Sequence, residues 1–135
     1  MKNSIKLEDN EIWKLAHIIS IHFLDILEKY KEDLYYPIDF KLREAAITIA
    51  TTTAAAIGLI DPRDKIWNYG KARGNAFELK GMYKLLHATK VITIDPEIML
   101  KLEVAVELLD IEIKIEYANL QKWFKDMGSP QEVMA

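Results

Sequence analysis

Apolar residues recur along this chain with the period of a buried helix face, four times over. From about residue 10 to 32, Ile12, Leu15, Ala16, Ile19, Phe23, Ile26, Leu27 and Tyr30 fall on one side of a helix. From about 37 to 59, Leu42, Ala45, Ala46, Ile49, Thr53 and Ala56 do the same. The stretch KEDLYYP separates the two, and Pro37 suits the first turn of the second helix, where a missing N–H costs nothing. Asp61-Pro62 and Asp95-Pro96 open a third and a fourth helix alike, with aspartate as cap and proline in the first helical position. These helices span about 62–90 and 96–125, and VITID (91–95) turns the chain between them. The tail DMGSPQEVMA, 126–135, carries weak structural signals and is expected to fray. Long helices with short connections predict a single all-α domain, 1–135, folded as an antiparallel up-down-up-down four-helix bundle.

Two features exceed what such a bundle needs. Helix four carries a core stripe, Ile98, Leu102, Ala105, Leu109, Ile113 and Leu120, and a second apolar stripe, Leu100, Val104, Leu108, Ile111, Ile115 and Ala118. The stripes lie about 140° apart. Helix one repeats the theme with Trp13, His17, Ile21 and Leu24 off its main face. Apolar surface of this extent marks an interface, so self-association is expected. The second feature is three glycines in helix three, Gly70, Gly74 and Gly81, within about 40° of one another. Each costs about 0.8–1 kcal/mol relative to alanine. Helix two is rich in alanine and threonine, and close approach of the two backbones would offset that cost through dispersion.

Composition narrows the chemistry. At 135 residues the chain can bury a core without staples, and with no cysteine it has neither disulfides nor thiolate metal sites. Its start, MKNSIKLEDNEIW, has acids where a signal peptide needs an apolar run. The longest uncharged stretch, residues 45–60, is shorter than the roughly 20 apolar residues of a membrane span. A soluble cytoplasmic protein without membrane contact is expected. Of the histidines, His17, His22 and His87, none follows a glutamate by three positions, and His17 and His22 diverge by about 140° around their helix. No phosphate loop, nucleophile elbow or dinucleotide fingerprint occurs. The expectation is therefore no enzyme, no cofactor and no metal.

Charge is segregated although the net value is only −3. From Pro62 to Lys90 there are seven Lys/Arg against two acids, and from Asp95 to Tyr117 two against seven. One arc of helix three presents Tyr69, Arg73, Lys80, Tyr83, Lys84 and His87. Cations that neutralise phosphates, with tyrosines that stack on bases, make one reading of it: an RNA or acidic-partner surface. The other is a basic face that pairs with acidic helix four of this or another subunit.

Short motifs add a resemblance. EIWKLAH (11–17) is similar to the opening vWqkAh of the four-helix-bundle proteins encoded in 23S ribosomal RNA intervening sequences. FKLREAAITIA (40–50) resembles that family's qlRrAavSIp at Leu42, Arg43, Ala45, Ala46, Thr48 and Ile49, and Gly74, Asn75 and Glu78 resemble its Gly-Ser…Glu. Where the family has IpaNIAEG this chain has IATTTAAA (49–56). VITID and KWFK (122–125) are also similar to a sister group, the accessory variability determinant proteins of diversity-generating retroelements. The resemblance implies a ring-like homopentamer of four-helix protomers. For the sister group it implies binding to a reverse transcriptase and nucleic acid.

Overall fold

The computed structural model describes residues 6–127. After a 3-10 turn at Leu7–Asp9 come four α-helices, α1 (Glu11–Lys29), α2 (Ile38–Gly58), α3 (Pro62–Ala88) and α4 (Pro96–Asp126), and no strand among the described residues. Each helix packs on the next and α4 closes back on α1 through the thinnest of the contacts, the arrangement of a four-helix bundle.

Local chemistry sets the helix ends. Asn10 accepts the Trp13 N–H at 2.9 Å, Asp61 that of Arg63 at 2.9 Å, and Asp95 that of Glu97 at 2.9 Å. Pro62 and Pro96 sit in the first turns, as their sequence context predicts. Pro37 differs: it precedes α2 as a cap residue with no side-chain bond. At the far end of α2, Lys65 Nζ donates to the Ala56 and Ile57 carbonyls at 2.7 and 3.2 Å, satisfying acceptors the helix leaves open. α3 closes in a Schellman turn, with Val91 N–H donating to Leu86 O and Lys90 N–H to His87 O, both at 3.0 Å. Lys90 takes the left-handed position there, φ 63°, where glycine is the usual choice.

The expected core positions of α1, α2 and α4 turn inward. Phe23, Ile19, Leu42, Ile49, Leu79, Tyr83 and Leu102 make its fully buried centre. α2 can bury threonines because Thr52 and Thr53 donate to the Thr48 and Ile49 carbonyls at 2.6 and 2.7 Å. A second cluster joins Ile12 from the start of α1, Ala56 from the end of α2, Tyr69 and Ala72 of α3, and Leu109 of α4. α3 before Tyr69 and α4 after Ile113 therefore run past the ends of α1 and α2 as a two-helix overhang.

The glycine expectation is corrected. α3 buries Tyr69, Ala72, Ala76, Leu79, Tyr83 and Leu86, and Gly70, Gly74 and Gly81 lie on the opposite side of the helix, exposed. Nothing stands within 4 Å of where a Cβ would be at any of them. Alanines on the inner side of α3, not glycines, let it approach its neighbours. The tail expected to fray falls almost wholly outside the described residues, since α4 runs to Asp126.

Candidate functional site

The basic arc of α3 is the flank that packs against α4, and this decides the fate of its members. Tyr69 and Tyr83 point inward, 4% and 0% exposed, and are not available to stack on bases. Arg73 Nε lies 2.5 Å from Asp110 Oδ1, with its N–H not aimed at the oxygen, and its guanidinium covers the Phe77 ring at 5.0 Å. Lys80 Nζ is 3.4 Å from Glu103. Lys84 and His87 are exposed. The His87 ring reaches the Ile92 carbonyl at 3.4 Å. Two of the expected cations are thus matched to acids of α4 inside one protomer, each pair about half in solvent and worth about 0–1 kcal/mol.

Tyr83 belongs instead to a polar centre at the α3–α4 connection, which the sequence did not reveal. Its oxygen accepts the Asp95 N–H at 2.8 Å, so its own hydroxyl is left to donate to His22 Nε2, 3.2 Å away. That bond needs His22 neutral with the proton on Nδ1. Burial lowers the His22 pKa, against the opposing pull of Asp95 and Asp25. Burial raises that of Tyr83. The group opens on a hollow of about 190 Å³ lined also by Asp25, Lys29, Tyr30 and Thr93. The residues come from α1, α3 and the connection to α4, a juxtaposition that periodicity cannot disclose.

At the other end, Tyr69 is pushed up to about 12 by burial, with the charges of Glu112 and Glu116 adding to the effect. Glu112 is raised by burial and by Glu116, against the nearby Lys65. Glu116, 8% exposed, accepts from Asn119 at 3.1 Å. Among the described residues no group of three or more His, Asp or Glu is placed to hold a metal ion, and no helix is long and apolar enough to cross a membrane.

The apolar face is where the second stripe of α4 lies open. Leu100 is 58% exposed, Val104 36%, Ile111 51% and Ile115 45%, with Leu108 half-buried. Between this stripe and α1 runs a groove of about 340 Å³, lined by Glu11, Lys14, Leu15, Ile18, Lys101, Val104 and Leu108. Ile18, which the apolar period of α1 does not single out, supplies the α1 side. Trp13, His17 and Leu24 sit more than about 100° away around α1. Trp13 stacks on His17 at 4.8 Å, and Leu24 packs on the core. Of the α1 residues expected at an interface, Ile21 is the large apolar one left exposed, at 45%.

No known protein family, no characterised protein and no solved structure matches the chain.

Proposed function

We propose that this protein is a non-enzymatic, self-associating helical scaffold whose α1/α4 face is buried between protomers. The observation that carries the reading is the unbroken row Leu100, Val104, Ile111 and Ile115, between a third and three-fifths exposed along one helix. Full burial of such a side chain contributes about 1.5–3 kcal/mol, so covering the exposed parts of this row with Ile18 and Ile21 yields about 4–8 kcal/mol per protomer. Two copies together contribute about 8–16 kcal/mol, enough to offset the roughly 4–15 kcal/mol that association costs. The homopentamer suggested by the intervening-sequence resemblance would be a head-to-tail ring, in which this face meets a different patch of the next protomer rather than its own copy.

An RNA or RNA-handling partner is the extension suggested by the basic arc of α3 and by the retroelement resemblance. Of the arc first considered for it, Lys84 and His87 retain free exposure, whereas Arg73 and Lys80 are held by α4. Self-association is therefore the stronger reading.

Light scattering at micromolar concentration tests it. Wild-type protein should exceed its 15.6 kDa protomer mass. Val104→Glu with Ile111→Glu should return it to that mass with helicity unchanged, because both side chains are outside the core. A wild-type protein that stays monomeric overturns the proposal.

A further inference from the structure

The outer stripe of α4 has a second regularity. Val104, Leu108, Ile111, Ile115 and Ala118 are spaced 4, 3, 4 and 3 residues apart, the alternation of a coiled-coil seam. A helix on the surface of a bundle needs no such seam. Its period of 3.5 keeps one line of side chains facing one partner helix for the length of the contact. α4 is 31 residues long and straight enough in sequence to present it, with no glycine or proline from Glu97 to Asp126.

Charge identifies the partner and its direction. Glu107 and Lys114 flank the seam on one edge, both exposed. Neither makes an ion pair within the protomer among the described residues. In a parallel pair of α4 helices the residue before each seam position meets the one five places further on, which sets Glu107 against Glu112 of the other copy on both sides. In an antiparallel pair, Val104 faces Ile115 and Leu108 faces Ile111. Glu107 of each copy then meets Lys114 of the other, twice, about a two-fold axis near Asp110. Like charges are replaced by opposite ones.

We propose that two copies of this chain associate through an antiparallel α4–α4 coiled coil centred near Asp110, with Ile115 of each copy seated in the α1/α4 groove of the other. Such a contact is isologous and closed, so it yields a dimer or a dimeric building block. It rests on the self-association reading and adds its geometry.

The absence of cysteine lets introduced thiols report the pairing directly. A Val104→Cys, Ile115→Cys protein should form a covalent dimer on mild oxidation. Within one chain the two positions are about 16 Å apart along the helix and cannot bridge. Val104→Cys alone should stay uncross-linked, because antiparallel packing keeps the two copies of that position apart. Glu107→Lys should weaken assembly about tenfold, and adding Lys114→Glu should restore it to within about threefold, since the pairs are only reversed in sign. Cross-linking of Val104→Cys alone, or assembly indifferent to the charge reversals, overturns the antiparallel pairing. Assembly without any 104–115 cross-link overturns it too and leaves self-association standing. A strict monomer overturns both.

Discussion

Replacing Gly70, Gly74 and Gly81 with alanine should make this protein harder to unfold. All lie within α3, on the side away from its buried residues, and a methyl group at each position meets no atom within 4 Å. The change therefore adds helix propensity without a packing penalty. At about 0.8–1 kcal/mol per glycine, the triple variant gains about 2.5–3 kcal/mol if the sites act independently. With an unfolding entropy of about 2.1 cal/mol/K per residue, a chain of this length shifts its midpoint by roughly 3–4 °C per kcal/mol, so a rise of about 9–10 °C is expected. Thermal unfolding followed by far-ultraviolet circular dichroism measures it, at a concentration where light scattering shows the same mass for both proteins. Unchanged or lowered stability refutes the reasoning. A lowered midpoint with a loss of assembled mass would show that this face of α3 is covered in the assembly and that the added methyls collide there.

Other perturbations have equally definite signs. Lys90→Gly relieves a left-handed lysine at the end of α3 and should stabilise by about 0.5–1 kcal/mol, read as a higher denaturant midpoint at constant slope. His22 titrates with a lowered pKa in the fold, so between the unfolded value near 6.5 and that lower value the unfolded chain binds more protons. Stability should consequently fall as pH drops through that window, and His22→Phe should flatten the dependence in denaturant titrations at pH 7.5 and 5.5. Arg73→Ala with Lys80→Ala removes two half-exposed pairs and should cost no more than about 2 kcal/mol while leaving the assembled mass unchanged, since both acids belong to the same protomer. Loss of assembly in that variant would place the pairs between subunits instead.

The fold was legible where a single residue type has one physical use. Asp-Pro at 61–62 and 95–96 starts a helix by capping and by a fixed φ, and α3 and α4 begin there. The period of α1 continues to Tyr30 and predicts a helix to about residue 32. The helix ends at Lys29 because Asp33 and Leu34 fold back to the Tyr30 carbonyl. The orientation of α3 is not legible in the sequence, for a reason visible in its composition. Its buried side holds Tyr69, Ala72, Ala76, Leu79 and Tyr83, while Trp67, Phe77 and Leu85 are about half exposed or more. With aromatic and aliphatic residues on both sides, periodicity does not rank one face over the other, and tyrosine suits a core and a surface equally. The acids of α4 visibly complement the cations of α3 in sequence, but pairing within the subunit and pairing between subunits look the same in one dimension. The His22–Tyr83–Asp95 centre joins residues 61 and 12 positions apart and leaves no local mark.

The overhang of α3 and α4 gives the molecule a gradient of local opening. Up to Leu109, α4 is held by neighbours on two sides, and beyond it Glu116 is its one buried residue among those described. The final turns of the longest helix thus rely on α3 and on contacts such as Arg63 over the Trp123 ring. Amide exchange should slow from Asp126 back towards Leu109, with the last turns opening at a small fraction of the global unfolding free energy. A partner that grips this end would find a segment whose order it can raise, and its binding would be felt first as added protection along α4.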